Sequence, residues 1–64
     1  MKFIFKGKDT TTYKFYKDKI YNILQFGIKN NHFIIYAINE ENKMVLVPYL
    51  SIDVFNDNWN FMEE

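Results

Sequence analysis

Apolar and polar residues alternate along much of the chain, and this alternation predicts β-strands. In residues 1–6, Phe3 and Phe5 lie two positions apart and therefore share one face of an extended chain. This two-residue period is typical of a half-buried first or edge strand. Runs rich in β-branched and aromatic residues predict the other strands. They cover residues 11–16, 20–26, 32–38, 44–47 and 52–55. The pattern therefore favours an all-β domain of five or six short antiparallel strands.

Polar clusters between these runs indicate tight turns. Asn30 and Asn31 predict a hairpin turn, because Asn tolerates the left-handed backbone region that short β-turns need. Pro48 is expected to stop the strand before it, since proline cannot donate a ladder hydrogen bond. Residues 49–51 are then predicted to form a single 3₁₀ turn. Short strands with such turns suit a small, strongly bent barrel that spans residues 1–64 as one domain.

A helix over residues 12–26 is the alternative to two of these strands. Tyr13, Tyr16, Ile20 and Leu24 recur there at nearly helical spacing. The stretch contains no alanine and no glutamate, and its threonine and aromatic content is typical of weak helix formers. The strand interpretation is therefore favoured.

Composition adds a packed core and removes several kinds of chemistry. Seven Phe, five Tyr and one Trp in 64 residues supply large rings with which a small domain can bury surface. The absence of cysteine excludes disulfides, thiolate metal sites and cysteine nucleophiles. No apolar run approaches the roughly 20 residues of a membrane span, and the apolar patch at the start is short for a signal peptide. We expect a soluble, cytoplasmic protein that does not bind membranes.

Charge is balanced overall but divided between the two parts of the chain. Residues 1–29 carry seven lysines and two aspartates, a net charge of +5, whereas residues 30–64 carry one lysine and six acids, a net charge of −5. Opposite charges on neighbouring strands can pair across a sheet. Alternatively, the division produces a basic face and an acidic face for partners. The absence of arginine argues against base-edge readout of duplex DNA.

Candidate catalytic and metal-binding groups are sparse. His32 is the only histidine and has no second imidazole or thiol with which to share a metal. Asp53 and Asp57, together with Glu40 and Glu41, could pair for acid–base catalysis, but solvated turns and strand faces explain them better. Gly7 and Gly27 match no phosphate-binding loop. The sequence predicts a protein that is not an enzyme, with no catalytic residues, no bound metal and no cofactor.

Aromatic residues are the best candidates for a binding surface. Tyr49, which directly follows Pro48, and Trp59 come first. A second candidate is a stacking platform with lysine charge for phosphate. Its members are Tyr16, Tyr36, Lys14 and Lys19, accompanied by Tyr13, Tyr21, Lys17 and Lys29. The run 33–38 is apolar on both faces, which suggests a homo-oligomer that covers the second face.

Several short patterns also resemble a known family. They are the Lys-x-Tyr start of residues 19–24, the polar turns at 30–31 and 40–42, the Val-Pro-Tyr-x-Ser stretch of 47–51, and the Phe55 to Trp59 segment. Together they resemble small SH3-like barrel proteins of phages and prophages of Gram-positive bacteria, over roughly residues 19–61. The resemblance implies a phage product that acts by binding; some such proteins inhibit host defence, either by blocking a defence protein or by sequestering its nucleotide signal.

The functional expectation is a non-enzymatic, protein-binding inhibitor of a host protein, encoded by a phage and acting in the host cytoplasm. One alternative is a small barrel that binds or sequesters a nucleotide or single-stranded nucleic acid through stacking and lysine. Another is a virion or scaffold component. A binding inhibitor should show a contiguous exposed patch, whereas a nucleotide binder should show a concave site with lysine at its rim.

Overall fold

The computed structural model describes residues 1–62 and contains five strands and one short helix. They are β1 (Lys2–Phe5), β2 (Ile20–Lys29), β3 (His32–Ile38), β4 (Met44–Tyr49), α1 (Ile52–Asn58) and β5 (Trp59–Phe61). All the strand pairings are antiparallel and join the strands into one sheet in the order β4-β3-β2-β1-β5. The predictions of a mainly β domain, of five strands and of antiparallel pairing are confirmed.

The long strand β2 belongs to both halves of the sheet. Its first residues pair with β1, its remaining residues pair with β3, and the register with β3 shifts between Ile23 and Gln25. An irregularity of this kind bends a strand and increases its twist. Core side chains from β1 and β5 consequently pack against core side chains from β3 and β4. Within residues 1–62, the edge strands β4 and β5 do not pair, so the sheet is not closed.

Aromatic rings make up much of the core, as the composition suggested. The buried cluster consists of Phe3, Phe5, Phe15, Tyr21, Ile23, Ile35, Ala37, Val47, Phe55 and Trp59. Trp59 is 2% exposed, and its ring lies edge-on to Phe5 and Phe15 at centroid distances of 4.9 and 5.1 Å. Such edge-to-face pairs add to the stabilisation from buried area.

Residues 11–16 do not form the predicted strand, and the alternative helix over 12–26 is also wrong. They form turns with a single bridge between Thr10 and Phe15. The Thr10 hydroxyl accepts a hydrogen bond from the backbone N–H of Tyr13 at 3.0 Å, and Lys14 has a left-handed φ of 64°. A local side-chain bond and a positive φ are both incompatible with an extended ladder.

The predictions for residues 48–55 also need correction. There is no 3₁₀ turn at 49–51: β4 continues through Pro48 to Tyr49, which an edge strand allows because its outer backbone groups need no partner. The predicted strand over 52–55 is the first part of α1 instead. Ser51 caps this helix, with its hydroxyl accepting from the backbone N–H of Val54 at 3.3 Å, and Phe55 packs into the core.

The two-residue turn between β2 and β3 confirms the prediction for Asn30 and Asn31. Both have positive φ, 51° and 65°, between the paired residues Lys29 and His32. Turns of this type favour Asn followed by Gly. We therefore expect Asn31→Gly to raise the free energy of unfolding by about 0.5 kcal/mol, measured by urea denaturation. Asn22→Gly in β2 is the control and should lower the free energy of unfolding. A lower free energy of unfolding in Asn31→Gly would contradict the turn assignment.

Candidate functional site

Residues 6–19 form a long loop between β1 and β2, and the turn between β3 and β4 holds this loop in place. Asn39 is buried, and its amide Nδ2 donates to the carbonyl oxygen of Tyr13 at 3.1 Å. Its Oδ1 accepts from the backbone N–H groups of Glu41 and Lys43, both at 3.0 Å. One side chain therefore fixes the turn and the loop together.

A second set of contacts, centred on Glu40, anchors the same loop. The Tyr21 hydroxyl donates to Oε2 of Glu40 at 2.7 Å, and Lys19 Nζ donates to Oε1 at 3.1 Å. These two bonds lower the pKa of Glu40, while burial and the Glu40 bond raise the pKa of Tyr21 to about 12. The Tyr21 oxygen also accepts from the backbone N–H of Tyr16, and the Lys14 carbonyl accepts from the backbone N–H of Glu40. Lys14, Lys19 and Tyr16, predicted as binding residues, thus lie in the contacts that order the loop.

The ordered loop, β1, β4 and the end of α1 line an open cavity of about 440 Å³ at the surface, which we call the tyrosine cavity. It is lined by Phe5, Lys8, Thr10, Tyr13, Phe15, Val47, Pro48, Tyr49 and Asn58. Trp59 Nε1 donates to the Tyr49 hydroxyl oxygen at 2.7 Å, and burial raises the pKa of Tyr49. The structure therefore brings the predicted pair together, but Trp59 is a core residue and is joined to the cavity through Tyr49.

The predicted tyrosine platform does not assemble. Tyr36 pairs with Gln25 and Leu46 on the face of β3 that points away from Ile35 and Ala37, which are both in the core. Tyr21 is buried in that core, and Tyr13 lines the tyrosine cavity. Tyr36, Tyr21 and Tyr13 therefore lie in three different environments. Sequence spacing did not show this, because it cannot tell which face of a bent sheet each ring occupies.

A second concave surface, the apolar groove, was missed by sequence analysis. It has a volume of about 330 Å³ and is lined by Ile28, Asn31, His32, Phe33, Leu50, Ser51 and Ile52. Ile28 is 81% exposed, Leu50 76% and Ile52 55%; Ile28 and Leu50 are the two most exposed large apolar side chains of residues 1–62. Ile28 pairs with Phe33 near the end of the hairpin, and Leu50 and Ile52 flank the helix cap Ser51. The available signal was the capping pattern of Ser51 followed by Asp53, which places Leu50 and Ile52 around a helix start.

Metal-binding and membrane-spanning features are not found in the described part of the chain. Across residues 1–62, His, Asp and Glu side chains form no group of three or more able to hold a metal ion. The seven-residue helix α1 is too short to cross a membrane, and residues 1–62 contain no other α-helix. Comparison with protein-family models, with curated proteins and with solved structures found no match.

Proposed function

We propose that the protein is a non-enzymatic, protein-binding module and that its partner docks on the apolar groove. The observation that carries this proposal is the convergence of Ile28, Leu50 and Ile52 on one concave surface. Burying a side chain of this kind completely gains about 1.5–3 kcal/mol. Three adjacent aliphatic side chains without a covering element therefore favour a partner surface rather than scattered surface hydrophobes.

The partner surface has a rigid base. Phe33 lines the groove, and the centroid of its ring lies 5.1 Å from that of Phe55 and 5.8 Å from that of Phe26. It therefore packs against the aromatic core. Groove residues held in this way lose little conformational freedom when a partner binds, which leaves more of the burial energy for affinity.

We infer that the bent sheet is a variant of the SH3-like barrel, supported by the strand order, the long β1–β2 loop and the short helix between β4 and β5. The sequence resemblance to phage and prophage proteins supports an inhibitor of a host protein as the activity, and the host cytoplasm as its location.

The test is a quantitative affinity purification from a Gram-positive host lysate with three tagged forms of the protein. They are the unmodified chain, Leu50→Glu in the groove, and Ile20→Glu as the control, since Ile20 is 50% exposed and lies outside the groove. Far-UV circular dichroism first establishes that both variants are folded. We expect one host protein to be enriched by the unmodified chain and by Ile20→Glu, and at least tenfold less by Leu50→Glu. Equal loss in both variants, or loss in neither, would contradict docking in the groove.

A homodimer is proposed separately, on the outer face of β3 and β4. Five apolar residues of this face are exposed or half-buried and lie outside the core cluster: Tyr36, Ile38, Met44, Leu46 and Pro48. If a second copy covers this face, the chain should sediment as a dimer at about 100 µM, and Leu46→Glu should convert it to a monomer because charges are excluded from interface centres. An unmodified chain that sediments as a monomer, or a dimer that persists in Leu46→Glu, would rule out this arrangement.

A further inference from the structure

The tyrosine cavity has the size and walls of a small-molecule site. Its volume of about 440 Å³ lies within the range of roughly 300–1,000 Å³ that is typical of such sites. Phe5, Phe15 and Val47 are buried and form its base, whereas Tyr13, Pro48 and Tyr49 are exposed or half-buried and form its apolar and aromatic walls together with three polar residues. The cavity does not share any lining residue with the apolar groove.

The walls are held in position before any ligand binds. Tyr13 is fixed through its carbonyl oxygen by the buried amide of Asn39, and Tyr49 is fixed through its hydroxyl by the indole of Trp59. Because both side chains that hold these two lining residues are buried, the positions of Tyr13 and Tyr49 are set by the core rather than by a mobile surface. A preformed site of this kind reduces the entropy cost of binding.

The charge of the cavity is positive. Lys8 is the only charged residue in the lining, and among residues 1–62 it forms no ion pair, whereas Lys6 and Lys19 are paired with Asp18 and Glu40. The Tyr49 oxygen accepts from Trp59, which leaves its own proton available for donation into the cavity. Burial raises the pKa of Tyr49, so this phenol stays protonated at neutral pH. An anionic acceptor therefore complements the polar groups.

We propose that the tyrosine cavity binds a small molecule with a flat apolar ring system and a single anionic group, with the ring against Tyr13, Pro48 and the ring of Tyr49, and the anion directed to Lys8 and the Tyr49 hydroxyl. The proposal does not depend on partner docking at the apolar groove. A nucleotide fits the same cavity less well. Its ribose hydroxyls and doubly charged phosphate would meet one lysine and two other polar residues, Thr10 and Asn58, in a lining that is otherwise apolar or aromatic.

The experiment is an NMR titration of the ¹⁵N-labelled full chain with three probes. They are 2-naphthoate, its neutral isostere 2-naphthamide, and adenosine monophosphate. We expect 2-naphthoate to bind with a Kd on the order of 0.1–1 mM and to shift the backbone amides of Lys8, Thr10 and Tyr13 together with the Trp59 indole N–H. 2-Naphthamide should bind about fivefold more weakly, because it lacks the charge.

A matched pair of lysine variants tests the role of charge. Lys8→Gln should reduce the affinity for 2-naphthoate about fivefold and bring it to the level of 2-naphthamide, whereas Lys17→Gln, an exposed lysine of the same loop outside the cavity lining, should leave it unchanged. Both positions are exposed, so both variants are expected to fold. Tyr49→Phe, which keeps the ring and removes only the hydroxyl, should weaken 2-naphthoate binding, provided that its amide spectrum remains native.

The remaining outcomes overturn the proposal. Equal affinity for 2-naphthoate and 2-naphthamide would show that the site does not select an anion. Tighter binding of adenosine monophosphate at the same amides would favour a nucleotide site instead. Shifts confined to Ile28, Leu50 and Ile52, or no saturable shift up to about 10 mM, would show that the cavity does not hold such a ligand.

Discussion

Trp59→Ala is expected to lower the free energy of unfolding by about 4 kcal/mol, the typical cost of truncating a buried tryptophan. Trp59 is 2% exposed, is surrounded by five aromatic rings, and donates its indole N–H to Tyr49. A loss of this size is most of the stability of a domain of this length, so the variant should be largely unfolded at 37 °C. Urea denaturation followed by far-UV circular dichroism measures the loss without using tryptophan fluorescence.

Phe61→Ala is the matched control for this prediction. Phe61 lies two residues after Trp59 in the same strand β5 and is 59% exposed. Its truncation should cost about 1 kcal/mol, because much of its side chain is already in water. Equal losses at the two positions would contradict a core role for Trp59 and favour the surface role that the sequence suggested.

Asn39→Ala is expected to cost about 2–3 kcal/mol, although it removes only a small polar side chain. The substitution leaves the Tyr13 carbonyl and the N–H groups of Glu41 and Lys43 without their side-chain partner. Buried or partly buried groups that lose a partner each cost about 1–3 kcal/mol, and local water recovers part of this. Amide hydrogen exchange should also become faster in the long loop, since this side chain fixes the loop to the sheet.

Asn22→Ala provides the control for Asn39→Ala. Asn22 is exposed in β2 and its side chain forms no hydrogen bond with residues 1–62, so the change should stay within about 0.5 kcal/mol. If Asn39→Ala lowered the free energy of unfolding by no more than Asn22→Ala, the hydrogen bonds of Asn39 would not hold the loop in place. The preformed walls of the tyrosine cavity would then need another explanation.

Much of the sheet follows from local sequence pattern. The predicted strand over 32–38 matches β3 residue for residue, and the Asn30-Asn31 turn has the expected left-handed backbone. These elements were predictable because their pairing partners are close in sequence and the turn residues have a specific backbone requirement. The register shift in β2, which bends the sheet, has no comparable local signal.

The errors arose where tertiary contacts override a local pattern. Residues 52–55 alternate like a strand, but the Ser51 cap and the burial of Phe55 favour a helix. Residues 11–16 have strand-like composition, but the loop is fixed by partners far away in sequence, chiefly Asn39 and Glu40. Propensity within a short window contains no information about such partners.

The candidate surfaces were only partly accessible to sequence reasoning. Tyr49 was identified because it follows a proline at a strand end, and the structure places it in the lining of the tyrosine cavity. The apolar groove combines one residue near the end of β2 with two around a helix cap. Its exposure is a property of the assembled fold, because apolar residues in a strand pattern are expected to be buried until the geometry shows otherwise.

We propose that the apolar groove is the surface that contacts a protein partner. Site-specific photo-crosslinking tests it most directly: a benzophenone side chain is placed at Leu50 in the groove, or at Ile20 outside it, in cells of a Gram-positive host. Both positions are exposed, so the fold should tolerate either replacement. We expect irradiation to join the Leu50 form, and not the Ile20 form, to one host protein. Crosslinks of equal yield from both positions, or only from Ile20, would contradict the claim.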